Sequence, residues 1–165
     1  MNIFLDEHLE VLEYLIKHKV KFLLIGGYAV IMHGYRRATG DMDLWLEPNN
    51  DNKTLFINAL RDLDFEDETL EYIQNLDFTH AQVLTFGEEP QRIDFLTQIN
   101  QVTFEEAYNN RLSENFENLV LPIINLRELI LSKINTGRAK DIADIEELQR
   151  IEKSKTDEFT IFKRY

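Results

Sequence analysis

Residues 22–46, FLLIGGYAVIMHGYRRATGDMDLWL, decide how the rest of the chain must be arranged. Phe22 to Ile25 make an apolar run short enough for a buried strand, which breaks at Gly26-Gly27 and continues into residues suited to about two helical turns. After Arg36, Arg37, Thr39 and Gly40 comes a second strand-like run, Asp41 to Leu46. Strand side chains alternate, so Asp41 and Asp43 share one face while Met42, Leu44 and Leu46 take the other. Two carboxylates held side by side raise each other's pKa and repel, an arrangement that calls for a cation or a proton between them. Hard oxygen ligands of this kind suit Mg²⁺, which takes one or two carboxylates and completes its shell with water and substrate phosphates. The glycine turn lets backbone approach a ligand closely, and the helix start beyond it offers free N–H groups to phosphate.

The order Ile25-Gly26-Gly27, thirteen residues, then Asp41-Met42-Asp43-Leu44 resembles the signature of the nucleotidyltransferase superfamily that includes DNA polymerase beta. Arg37-x-Thr39-x-Asp41-x-Asp43 resembles more specifically its small bacterial members, among them abortive-infection and toxin-antitoxin nucleotidyltransferases. One departure is Gly27, where many members have Ser, so that a hydroxyl is missing from the expected phosphate contacts. The resemblance implies an α/β (α+β) nucleotidyltransferase fold, a small mixed sheet flanked by helices with further helices at the C-terminus. It also implies a third carboxylate on a later strand beside the first two, and Arg92-Ile93-Asp94-Phe95-Leu96 looks like that strand. Asp94 is then a metal ligand or the acceptor of the attacking hydroxyl's proton. An edge-strand Asp94 paired with Arg92 is the plainer alternative.

A chain of 165 residues with 44% apolar content fits one domain with a real core. We expect that domain to span residues 1–150, with its C-terminal helices from about residue 125, and residues 151–165 to form a polar tail in which Phe159, Ile161, Phe162 and Tyr165 fold back. No apolar run approaches a membrane span, and Asp6 and Glu7 near the N-terminus are unlike a signal peptide, so no membrane partner and a cytoplasmic location are expected. The absence of cysteine rules out disulfides, thiolate zinc sites and a cysteine nucleophile. A net charge of -12 argues against unspecific nucleic-acid binding. Residues 21–46 nevertheless carry three basic and two acidic side chains, and residues 127–140 four basic and one acidic, so positive charge gathers where an anionic substrate is expected.

Along the chain, residues 6–18 read as an amphipathic helix with Asp6 as N-cap and His8 and His18 on its surface. Residues 53–63 suit a second helix and the acidic stretch 62–78 a short third one. Ala81 to Phe86 and Gln91 to Leu96 read as a hairpin, with Arg92 and Asp94 on one face of its second strand. A short helix over 104–111 and an extended segment over 119–124, interrupted by Pro122, follow. Asn125 and Glu128 have the spacing of a capping box, opening a helix with Leu126, Leu129, Ile130 and Ile134 on one stripe. Lys133 falls on the same side, where a lysine must reach solvent or meet an anion. On the reading that this anion is a bound substrate, Lys133→Met should leave stability unchanged or higher. Gly137 ends that helix, and Ile142, Ile145 and Leu148 form the stripe of the next.

The C-terminal Lys133, Arg138, Lys140, Asp141 and Asp144 resemble a pattern of the same bacterial family. By that resemblance Lys133 meets the nucleotide phosphates, while Asp141 and Asp144 tie helices together or touch substrate. The expected function is Mg²⁺-dependent (or Mn²⁺-dependent) transfer of a nucleoside monophosphate from an NTP to an acceptor hydroxyl on tRNA, protein or a small molecule, with pyrophosphate released. Asp41, Asp43 and Asp94 are the expected catalytic and metal-binding residues, and Gly26, Gly27, Arg37, Thr39 and Lys133 the nucleotide-binding ones. A nucleotide-holding module without turnover, or a toxin-antitoxin partner of a neighbouring gene's product, are the competing classes.

Overall fold

The run 22–25 forms strand β1 (Phe22–Ile25), buried at all four positions, so both faces of the sheet are covered along it. The computed structural model describes residues 3–162, with side chains through Glu158. Helix α1 (Asp6–Lys17) precedes β1, and α2 (Gly26–Met32) follows it directly. Then come β2 (Met42–Leu46), α3 (Asn50–Asp62), α4 (Asp67–Gln74), β3 (Val83–Phe86) and β4 (Ile93–Leu96). The chain continues through α5 (Phe104–Asn109), β5 (Leu112–Phe116), β6 (Leu119–Ile123), α6 (Leu126–Lys133) and α7 (Ala139–Phe162). This is the expected α/β architecture, one mixed sheet with helices packed around it.

The six strands run in the order β3-β4-β2-β1-β6-β5. β1 pairs antiparallel with β2 and parallel with β6, while β2 pairs parallel with β4, which closes the hairpin with β3. The register places Ile25 beside Asp43 and Asp43 beside Asp94. Neighbours in register point the same way, so the ladder itself sets the two carboxylates on one sheet face.

The core explains why this register holds. Trp45 on β2 is 1% exposed, lies edge-on to Phe104 of α5 and donates its indole N–H to the Thr97 carbonyl at 3.0 Å. Phe56 of α3 is fully buried between Phe78 and Phe95, and deleting such a ring costs about 3–5 kcal/mol. A slip of one residue would turn Leu44 and Phe95 outward and the carboxylates into this core. The loop ends are also tied, because Asn52 bonds Lys21 N, Lys21 O and Glu47 O together at the far end of β1 and β2.

Several local expectations are corrected. Leu5 stands at the N-cap of α1 without a side-chain bond, and Asp6 acts instead as an acidic residue of the first turn. His8 is fully buried rather than on the surface, edge-on to Tyr28. Asn125 occupies the N-cap of α6, but no capping box forms: its amide donates to Asn110 O, and buried Glu128 accepts from the Asn110 side chain. Ile142 is 55% exposed and lies off the packed stripe that Leu148 belongs to. Strand β5 was not anticipated, since LSENF at an exposed sheet edge shows little apolar alternation. Helix α7 runs to Phe162, through most of the segment expected as a tail. The expected folding back of Phe159, Ile161, Phe162 and Tyr165 concerns side chains outside the described residues.

Candidate active site

Gly26 closes β1 and opens α2 with φ +63°, a left-handed conformation that favours glycine. A Cβ here would run into the Asp43 carboxylate, so the turn and the acidic residue occupy one another's space. Gly27 has the same relation to Thr39, whose hydroxyl fills the volume that a side chain at position 27 would need. The two glycines are thus required by contact with the predicted acidic and polar residues.

Asp43 is the centre of this arrangement. Among the described residues no side chain donates a hydrogen bond to its carboxylate. Burial, then the charges of Asp94 and Asp41, raise its pKa to about 6, opposed by the charges of Lys133 and Lys140. Asp41, just before β2, has its Oδ1 buried with no hydrogen-bond partner among the described residues, and its Oδ2 lies 3.8 Å from the Arg92 Nε. Asp94 on β4 is 8% exposed and differs from both, because its charge is already answered. Arg92 donates to its two oxygens at 3.2 and 2.9 Å, and the Thr85 hydroxyl donates at 2.7 Å from β3.

Arg92 is therefore the residue of the candidate site that sequence reasoning underrated. Its pairing with Asp94 was weighed only as an alternative to a role for that carboxylate, whereas the strand pattern allows both. Asp94 lies on an inner strand, beside Asp43 and under a guanidinium that also faces Asp41.

Do these residues fit a divalent cation? Among the described residues no three acidic or histidine side chains are gathered into a ready cage, since Asp94 is turned to Arg92 and Thr85. Asp41 and Asp43 fit nonetheless. An orphaned buried oxygen and an unpaired carboxylate of raised pKa are an uncompensated negative charge, and Mg²⁺ needs only one or two carboxylates when substrate phosphates supply the rest.

The predicted nucleotide-binding residues divide between two openings. Gly26, Asp43, Asp94 and Lys133 line a cavity of about 400 Å³ with Gln98 and Arg138. Arg37 and Thr39 line another, of about 890 Å³, with Tyr28, Met32 and Arg36. Lys133 and Arg37 are also committed to protein partners. Lys133 donates at 2.9 Å to Asp141 and forms an ion pair at 2.9 Å with Asp144, and Arg37 grips both Asp144 oxygens at 2.7 and 2.9 Å. Burial pushes Asp141 upward, but hydrogen bonds from Thr136, Lys133 and Arg138 hold it below the usual carboxylate range. Asp141 and Asp144, of the two roles weighed for them, tie the helices together. Arg37-Asp144-Lys133-Asp141-Arg138 is a continuous ionic chain from the loop before β2 to the start of α7.

Buried beside the second opening is a further polar pair absent from the expected site. The Tyr28 hydroxyl lies 3.3 Å from the His8 Nδ1, and the other ring nitrogen is buried without a hydrogen bond of good geometry among the described residues. Burial lowers the His8 pKa, and burial together with Asp41 raises that of Tyr28, so both stay neutral near pH 7.

The fold is similar to the crystal structure of the lincosamide antibiotic adenylyltransferase LnuA with lincomycin bound, at a TM-score of 0.51 and 18% identity over 92% of this chain and 99% of that one. A comparison with curated proteins finds no match. The family described as "Nucleotidyltransferase of unknown function (DUF6036)" matches residues 3–160. With that match spanning nearly the whole chain and the glycine turn and carboxylates in place, the protein belongs to this nucleotidyltransferase family.

Proposed function

We propose that the protein moves a nucleoside monophosphate from an NTP to an acceptor hydroxyl in a Mg²⁺- or Mn²⁺-dependent reaction. The observation that carries this reading is Asp43, unpaired, charged against its surroundings and seated on Gly26 at the lip of a cavity. Asp41 and Asp43 would hold the cation, with Asp94 reaching it if Arg92 turns away. When bound, the ion supplies Lewis-acid stabilisation of charge on the transferring phosphoryl group.

The chain's own residues then have distinct tasks. The Gly26-Gly27 backbone and the Thr39 hydroxyl contact the phosphates, and Lys133 and Arg37 hold positive charge beside them while anchored to Asp144. Asp94, oriented by Arg92 and Thr85, takes the proton as the acceptor oxygen bonds to the α-phosphorus. The bond from that phosphorus to the bridging oxygen breaks, and pyrophosphate leaves.

The acceptor is a hydroxyl of a tRNA, a protein or a small molecule, met in the cytoplasm, with a neighbouring gene's product as a candidate partner. The lincomycin bound to the adenylyltransferase neighbour puts lincosamides beside aminoglycosides among small molecules to try. The test is incubation with Mg²⁺ and each labelled NTP in the presence of total RNA, host protein and these antibiotics. Label on an acceptor with wild type but not with Asp43→Asn supports the proposal. Binding of Mg²⁺-NTP without transfer to any acceptor class would make the protein a nucleotide-holding module.

A further inference from the structure

Away from the carboxylates, three cations converge on one cavity of about 330 Å³ lined by Lys19, Lys21, Tyr108 and Arg111. Lys19 and Arg111 have no carboxylate within ion-pair distance among the described residues, and Lys21 meets Glu47 only at 3.9 Å. In a chain of net charge -12, a cavity lined by three cations and no acid runs against the surface as a whole.

Two of these cations, Arg111 and Lys21, are packed on one aromatic ring. The Arg111 guanidinium lies 3.9 Å from the Tyr108 ring centre and donates to the Tyr108 carbonyl at 2.7 Å, which fixes its plane. Lys21 Nζ lies 5.6 Å from the same ring, and Phe104 stacks beneath it at 5.3 Å. Part of the ordering cost of binding is therefore met in the free protein. Ile16, Val20 and Pro122 give the cavity an apolar floor.

We infer that this cavity binds a phosphate group. A phosphoryl group carries three peripheral oxygens and close to two negative charges, which matches three cations better than a single carboxylate does. The site is separate from the carboxylates. Lys21 precedes β1 and Gly26 follows it, so five steps of extended chain put about 16 Å between them. The phosphate belongs either to a free polyphosphate ligand or to the backbone of an RNA lying across the sheet edge.

Calorimetric titration of the full chain with pyrophosphate in metal-free, low-salt buffer tests this. Lys21→Gln/Arg111→Gln is expected to bind at least tenfold more weakly than wild type. Tyr108→Leu, which keeps every charge, should lose several-fold. A single-stranded RNA octamer then separates the sources: binding tenfold tighter than pyrophosphate, with a log–log salt slope of about -2, assigns the phosphate to RNA. Weaker RNA binding assigns it to a free ligand. The inference is overturned if the double variant binds pyrophosphate as wild type does, if wild type binds neither probe, or if oligoglutamate of equal charge binds as well as the RNA.

Discussion

Lys133 Nζ and Asp144 Oδ2 lie 2.9 Å apart, both almost excluded from solvent, where α6 meets α7. Asp141 stands at the same distance on the other side of the ammonium. A lysine on an apolar stripe suggested a charge waiting for substrate, but the chain provides its own two anions eight and eleven residues further on.

The effect of Lys133→Met is accordingly reversed from the expectation of unchanged or higher stability. Removing the cation leaves two buried carboxylates with only Arg37 and Arg138 to answer them, a loss of about 1–3 kcal/mol, less than for a pair left wholly uncompensated. Urea denaturation of both proteins measures it. A variant as stable as wild type would show that these carboxylates find other partners.

Asp43 gives a pH prediction with a definite sign. Its folded-state pKa is raised to about 6 from 3.8, so the folded state holds this proton more tightly than the unfolded one. This contribution therefore favours folding as pH falls from about 6 to about 4, and its full cost is present above pH 6. Asp43→Asn should stabilise the metal-free protein at pH 7 by roughly 1–3 kcal/mol and lose that advantage near pH 4. Equal melting of both proteins across this range would remove the electrostatic account. The same variant should lose nucleotidyl transfer.

Gly26→Ala combines a left-handed backbone with a methyl group in the space of the Asp43 carboxylate. The backbone cost is about 1–2 kcal/mol, small enough for the fold to survive. Displacement of Asp43 should weaken Mg²⁺-NTP binding by more than tenfold, read by titration. Wild-type affinity in a folded variant would place the phosphates elsewhere.

Asp94→Asn should separate rate from affinity. Asp41, Asp43 and the glycine turn still meet the nucleotide, so KM should change little while kcat falls about 10²- to 10⁴-fold. Steady-state kinetics with the acceptor found above decides. A fall in affinity with kcat preserved would make Asp94 a support for Asp43 rather than a proton acceptor.

The glycine turn, the paired strands and the Asp41–Asp43 pair were legible because each depends on short-range pattern: strand alternation, a turn signal, and spacing; Asp94 was singled out by the family resemblance. The register that aligns Asp43 with Asp94 follows from the apolar faces of both strands, also visible in sequence. What could not be read were pairings between distant residues. Nothing local says that Arg37 chooses Asp144, that Thr39 fills the space over Gly27, or that His8 turns inward to Tyr28. Strand β5 escaped for a related reason, since an exposed edge strand is defined by its partner more than by its own residues.

The ionic chain from Arg37 to α7 also bears on biosynthesis. Arg37 and Asp144 are 107 positions apart, so the loop beside Gly27 has no anchor while the ribosome is still making the middle of the protein. The β1–β2 hairpin, whose two strands lie close in sequence, can pair early; the loop carrying Arg37 and Thr39 can take its final place only after the last helix has emerged. An unfinished chain thus exposes the carboxylates without the completed arrangement around them, which waits for α7.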